Sequence, residues 1–229
     1  MGRKLRHVLI FLLIILKEPD MPDAGCWDEC EYHDHCRCVR MGLTSIPQDL
    51  PTTITYLYLH GNLITSVSQS ELIWYRDLKE LVIWLNQVTH IQPGAFSCLP
   101  NLETLNLGYN KITNITPGTF SNLPKLKDLR LDKNQITDIQ PGTFSNLPKL
   151  TELRLQKNQI TDIQPGAFSN LPKLTKLCLG SNKLTVLPES AYDIFTSILI
   201  VEIGKNPWQC DCNMAPFRLQ MNESDFFAF

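Results

Sequence analysis

Asparagine recurs at positions 62, 86, 110, 134, 158, 182 and 206, each 24 residues after the last. A period this strict constrains the fold more than any other feature of the chain. One such unit is too short to close a core around itself. It must bury its apolar side against the next unit, and the stack grows as a solenoid. Apolar residues hold fixed offsets before each Asn. They are Leu102, Leu105 and Leu107 before Asn110, then Leu126, Leu129 and Leu131 before Asn134, then Leu150, Leu153 and Leu155 before Asn158. The series persists at its ends as Ile54, Leu57 and Leu59, and as Ile198, Val201 and Ile203. Beyond the Asn, Ile112, Ile115, Phe120 and Leu123 return as Ile136, Ile139, Phe144 and Leu147. Pro93-Gly94, Pro117-Gly118, Pro141-Gly142 and Pro165-Gly166 mark one recurring turn.

L-x-x-L-x-L-x-x-N at this spacing is the signature of the leucine-rich repeat. It predicts an α/β right-handed solenoid. A parallel β-sheet lines the concave face, the convex side is mostly irregular or 3-10, and disulfides cap the N-terminus. Each L-x-L segment is a short strand. The Asn points inward and satisfies backbone groups at the strand-exit turn, since a buried amide needs its partners. The Phe and Leu that follow fill the outer half of each coil.

A solenoid needs capped ends, and six of the eight cysteines lie where caps belong. Arg3, Lys4 and Arg6 precede nine apolar residues, Val8 to Leu16, and Lys17-Glu18-Pro19 ends the run. That is the pattern of a secretory signal peptide, and it is too short to span a bilayer as a helix, which takes about 20 residues. The protein is therefore expected to be secreted or extracellular, where thiols oxidise. The expected organisation is a signal peptide at 1–24, an N-terminal cysteine-rich cap at 25–52, 24-residue repeats over 53–205 and a C-terminal cap at 206–229. Cys26, Cys30, Cys36 and Cys38 are the disulfide candidates of the first cap. His33, Asp34 and His35 lie among them, so zinc is the competing use of those thiols. Secretion favours disulfides, and no cofactor or metal is expected. Asn206-Pro207-Trp208-Gln209-Cys210-Asp211-Cys212 opens the second cap, whose next two cysteines do not follow; this cap reads as incomplete, with truncation the expected reason. Cys98 and Cys178 interrupt the repeats and are expected to be free thiols, either able to bridge to another chain. Asn114-Ile115-Thr116 and Asn222-Glu223-Ser224 are N-glycosylation acceptors.

Side chains alternate along a strand, so the residues flanking the L-x-L leucines face outward on the concave sheet. The N-terminal third is aromatic there: Tyr56, Tyr58, His60 and Trp84, with Tyr109 at the edge. The middle is charged: Asp128, Arg130, Asp132, Glu152 and Arg154, with Glu80 and Asn106 to one side. A solvated ion-pair lattice and strand-favouring aromatics are the plain reading of these groups. Aromatics clustered beside charge on a concave surface favour binding. The segments Pro117–Gln140 and Pro141–Gln164 support this. Of their 24 positions only three differ, Lys127/Thr151, Asp128/Glu152 and Asp132/Gln156, all at strand positions outside the core. The scaffold is copied while the presented side chains change. A net charge of −2 lacks the basic bias of nucleic-acid binders. No nucleophile-elbow, zinc-protease or P-loop pattern occurs, and an open sheet offers no enclosed pocket for acid–base work, so an enzyme is not expected.

These repeats, the cysteine-rich start, N-P-W-x-C-D-C and the signal peptide resemble the variable lymphocyte receptors of jawless vertebrates and their relatives. The resemblance spans residues 26 to about 215. It implies recognition of a microbial cell-surface component or protein antigen through the concave face. From the N-terminal cap of such proteins it implies Cys26–Cys36 and Cys30–Cys38 pairs, although the usual C-x3-C-x-C-x6-C spacing is here C-x3-C-x5-C-x-C. The family's protruding loop in the C-terminal cap has no counterpart in this sequence. The alternative is an adhesion or extracellular-matrix module that binds a host protein.

Overall fold

The leucine pairs of successive L-x-L segments point to one side of an extended backbone, and three-residue strands form at those segments. The computed structural model describes residues 26, 30, 31, 34–187, 195 and 197–209. The predicted signal peptide at 1–24, and Cys210, Cys212 and Asn222, lie outside the described residues.

In chain order the elements are β1 (Cys30–Glu31), β2 (His35–Arg37), β3 (Tyr56–Tyr58), β4 (Ser66–Val67), α1 (Gln69–Leu72), β5 (Glu80–Val82), β6 (His90–Ile91), β7 (Thr104–Asn106), β8 (Asp128–Arg130), β9 (Asp138–Ile139), β10 (Glu152–Arg154), β11 (Asp162–Ile163), β12 (Lys176–Cys178) and β13 (Ile200–Glu202). One nine-stranded sheet runs β1-β2-β3-β5-β7-β8-β10-β12-β13, parallel throughout except for the antiparallel β1–β2 pair. Two two-stranded parallel pairs, β4–β6 and β9–β11, lie beyond the Asn turns.

The Asn ladder behaves as its position requires. The Asn134 side chain is buried, its Oδ1 accepts from Ile112 N at 3.0 Å, and its Nδ2 donates to Leu107 O at 3.0 Å and Leu131 O at 3.1 Å. Asn86, Asn110, Asn158 and Asn182 repeat this scheme. Asn62 applies it to the cap, accepting from Met41 N and Leu43 N and donating to Cys38 O. Outside the sheet, Phe96, Phe120, Phe144 and Phe168 stack with centroids 5.8–5.9 Å apart and form the outer core. The residue before most of these Asn residues is left-handed, at φ +53° for Tyr109 and +55° for Lys133. A non-glycine residue there costs about 1 kcal/mol or more, set against the buried bonds that each turn secures.

The first repeat departs from the copied ones. It has no Pro-Gly turn. Helix α1 takes its place, started by Ser68, whose N–H donates to Glu71 Oε2 at 2.9 Å. Leu72 and Tyr75 fill the positions held elsewhere by Phe and Leu, and the Tyr75 hydroxyl donates to Pro47 O of the cap at 2.5 Å.

The cap pairs its cysteines differently from the resemblance. The bonds are Cys26–Cys38 and Cys30–Cys36, not Cys26–Cys36 and Cys30–Cys38. The β1–β2 hairpin decides this, because its antiparallel register places Cys30 directly opposite Cys36. All four cysteines therefore have a partner other than the one the resemblance implied.

Candidate functional site

The parallel register assembles the outward-facing columns that the repeat phase predicts. Tyr56, Glu80, Thr104, Asp128, Glu152, Lys176 and Ile200 are direct neighbours. So are Tyr58, Val82, Asn106, Arg130, Arg154, Cys178 and Glu202. Adjacent members stand about 4.8 Å apart.

At the N-terminal end the aromatic set is larger than the sequence indicates, because β2 of the cap joins the same sheet. His35 stacks on Tyr56 with centroids 4.0 Å apart, and the Arg37 guanidinium lies 5.5 Å from the Tyr58 centroid. His60 meets Trp84 edge-on at 5.8 Å, and Trp84 meets Tyr109 at 5.2 Å. The Lys133 ammonium sits 3.7 Å from the Tyr109 centroid. Burial, with Arg40 and Arg37 adding to it, lowers the His60 pKa and favours the neutral imidazole. Burial and then the neighbouring Glu80 carboxylate raise that of Tyr58. Strand alternation from Cys36 could have found His35 and Arg37, had the cap been read as part of the sheet.

The charged middle is mostly paired within itself. Asp128 Oδ2 accepts from Arg130 Nε at 2.9 Å and Nη2 at 2.6 Å. Glu152 Oε1 accepts from Arg154 Nε at 2.8 Å and lies 3.3 Å from Lys176 Nζ, which reaches Glu202 at 3.6 Å. Residues two apart share a face, so each acid holds the arginine of its own strand. The Asp128 hydrogen bond raises the Arg130 pKa. Burial opposes ionisation of Glu152, but Arg154 and Lys176 outweigh it and hold that carboxyl below its ordinary value.

Asp132 is the exception. No basic nitrogen of the described residues lies within ion-pair distance of it, and burial raises its pKa against the opposing pull of its own backbone N–H and of Arg154, Arg130 and Lys157. Asn106 accepts from Gly108 N at 3.0 Å, beside Trp84.

Residues 76–136 and 124–184 match the leucine rich repeat family. The chain has the leucine-rich-repeat fold. Among its relatives, bovine asporin is 35% identical over 30% of this chain, and human leucine-rich repeat-containing protein 3C is 38% identical over 41%. The mouse transforming growth factor beta activator LRRC32 is 38% identical over 28% of the chain. These matches span 18%, 36% and 10% of the relatives' own lengths. Among solved structures, a chain of the TLR13–ssRNA13 complex superposes with a TM-score of 0.55 at 26% identity, over 68% of this chain and 25% of that one.

Among the described residues the two free thiols of this leucine-rich-repeat fold differ. Cys178 falls on the concave column but is 2% exposed, and burial, with Glu202 adding to it, pushes its thiol up to about 12. It is therefore a poor partner for the intermolecular bridge that the sequence allowed. Cys98 is half-buried on the convex side, and burial raises its pKa as well. Asn114 is exposed, beyond the strand. Two hollows of about 550 and 690 Å³ open near the convex turns around Asn146 and Pro148, with no charged side chain in their walls. Among the described residues no helix is long and apolar enough to cross a membrane.

Proposed function

We propose that this chain is a secreted, immune-type recognition receptor that binds microbial surface components or other antigens through its concave face. The observation that carries the reading is the pattern of difference between the copied segments. Of their three differing positions, 128/152 and 132/156 present side chains on the concave surface, while the stacked Phe and buried Asn positions are identical. Cysteines paired as disulfides at the N-terminal cap support export to an oxidising compartment. Tyr56, Tyr58, His60 and Trp84 supply aromatic surface of the kind that anchors partners, with Glu80, Asn106 and Asp132 as polar contacts. The organisation we propose is that of the sequence: leader, cap, repeats over 53–205, and a second cap from 206. The role is binding rather than catalysis, because the carboxylates lie on an open sheet.

The test is capture of bacteria by the immobilised protein, comparing wild type with Tyr58→Ala/Trp84→Ala and with Asp128→Ala/Asp132→Ala/Glu152→Ala. Loss of capture by the aromatic variant with an unchanged circular dichroism spectrum supports the reading. Equal capture by wild type and both variants overturns it. The similarity to a transforming growth factor beta activator, whose name describes action on a host growth factor, favours a second reading as an adhesion or extracellular-matrix module. That reading predicts capture of a self protein and none of microbes.

A further inference from the structure

The column that carries His60, Trp84, Gly108, Asp132 and Gln156 contains a gap at its third member. A Cβ on residue 108 would stand 3.1 Å from Asp132 Oδ1, 3.3 Å from Asn106 Oδ1 and 3.3 Å from Trp84 Cδ1. A carboxylate oxygen, an amide oxygen and an indole edge thus converge around one small opening. Gly108 is not among the residues with positive φ, so glycine is needed here for space and not for backbone conformation. Tyr109 forms the adjoining wall, its ring 5.2 Å from that of Trp84.

Two observations give this opening a charge preference. The first is that Asp132 lacks an ion-pair partner among the described residues, whereas Asp128 and Glu152 each hold an arginine. Arg130 and Arg154 lie close enough to influence Asp132, but their hydrogen bonds go to the acids of their own strands. The second is that the aromatic wall already carries a cation: Lys133, the next residue after Asp132, rests on Tyr109 at 3.7 Å. A lysine side chain is flexible and strongly hydrated, and it leaves such a position readily. A guanidinium is planar, pairs with a carboxylate through two N–H groups and stacks on aromatic rings.

We propose that Trp84, Asn106, Tyr109 and Asp132 form a subsite for an arginine side chain of a protein ligand. This assignment rests on the concave-face reading above. Asp132 and Asn106 accept the guanidinium N–H groups, Trp84 and Tyr109 provide the stacking surface, and the missing side chain at Gly108 leaves these acceptors uncovered toward the ligand. Lys133 is the internal competitor that the ligand displaces. Asp132 is also one of the three positions at which the copied segments differ, with Gln156 in its place one coil on.

The test uses N-acetyl-arginine amide as the probe and its neutral citrulline counterpart as the control. The Trp84 indole N–H resonance of the full chain, identified through Trp84→Phe, reports the site. The arginine probe gives a saturable shift, and citrulline binds at least about tenfold more weakly. Asp132→Asn weakens the arginine probe about tenfold, Gly108→Ala blocks it, and Lys133→Ala strengthens it a few-fold. Equal affinity for citrulline, or no change in Asp132→Asn, overturns the subsite; tighter binding of N-acetyl-lysine amide overturns the guanidinium assignment. The outcomes separate from those of the broader reading. Bacterial capture that needs Trp84 while the arginine probe is silent removes the subsite alone. A saturable arginine response without any bacterial capture keeps the subsite and removes the microbial reading.

Discussion

The two halves of the concave face use the same scaffold and spend their side chains differently. From β8 to β12 nearly every charge has a partner on its own or the next strand: Asp128 with Arg130, Glu152 with Arg154, and Lys176 with Glu152 and Glu202. From β2 to β7 the rings touch one another edge-on or stacked, and the polar groups beside them, Glu80 and Asn106, lie outside the ion-pair lattice. A surface that satisfies itself must break pairs before it can bind, and exposed pairs contribute little to stability. A surface of aromatic edges with no ion pairs to separate loses much less on meeting a partner. On the proposed reading, the recognition chemistry lies toward the N-terminal half, with Asp132 at the border.

The two halves share one asparagine ladder, and the largest expected effects lie there. Asn86→Ala in the aromatic half and Asn158→Ala in the charged half each leave buried backbone groups without partners, and each is expected to cost about 3 kcal/mol or more. Urea unfolding followed by circular dichroism measures both. A large cost in one half only would mean that the two halves are not built on one scaffold. Next in size is binding. Trp84→Ala is expected to weaken capture of a partner at least about tenfold while the thermal midpoint hardly moves, and Arg154→Ala to change capture little. A reversal of that order moves the recognition surface to the charged half. Smaller still is Arg130→Ala, which releases Asp128 from its partner at a partly buried site and should cost about 1 kcal/mol.

The smallest effect is the sharpest discriminator, because Asp132 and Glu152 shift in opposite directions. The Asp132 pKa is raised on folding, mainly by burial, so the folded state holds its proton more tightly than the unfolded chain. Its contribution to stability therefore falls as pH rises from the ordinary carboxylate value through the raised one, and Asp132→Asn flattens that slope. Although burial opposes it, the net Glu152 pKa is lowered by Arg154 and Lys176. Its contribution is present above the ordinary value and is lost as pH falls through the lowered one. Side-chain carboxyl titration by NMR should find Asp132 above the usual aspartate value and Glu152 below that of glutamate. The same ordering in both would remove the distinction between the paired and unpaired acids.

Much of this was legible in the sequence, and the reason is the repeat. One phase fixes every strand, so the columns through Tyr56, Tyr58 and His60 follow from counting back from asparagine, and the ladder of buried amides follows from the same count. The features that the period does not encode lie where the repeat stops. The disulfide pairing depends on the hairpin register of β1 and β2, which no 24-residue period governs, and the displaced third cysteine made the resemblance misleading. His35 and Arg37 were invisible as concave residues because they precede the first Asn. Burial of Cys178 and the pairing of Asp128 and Glu152 within their strands are matters of side-chain reach, which a column of letters does not carry.

Each ladder asparagine's side chain bonds backward only, into its own turn and the coil before it, as Asn158 does with Leu155, Leu131 and Ile136. A second copy of Pro117–Gln140 inserted before Pro141 would meet on both sides the partners its neighbours already offer. Such a gene can lengthen by duplicating whole units, and point changes at the strand can then diversify the new row. Each added coil then contributes one more row of variable concave side chains, and the caps remain unaltered.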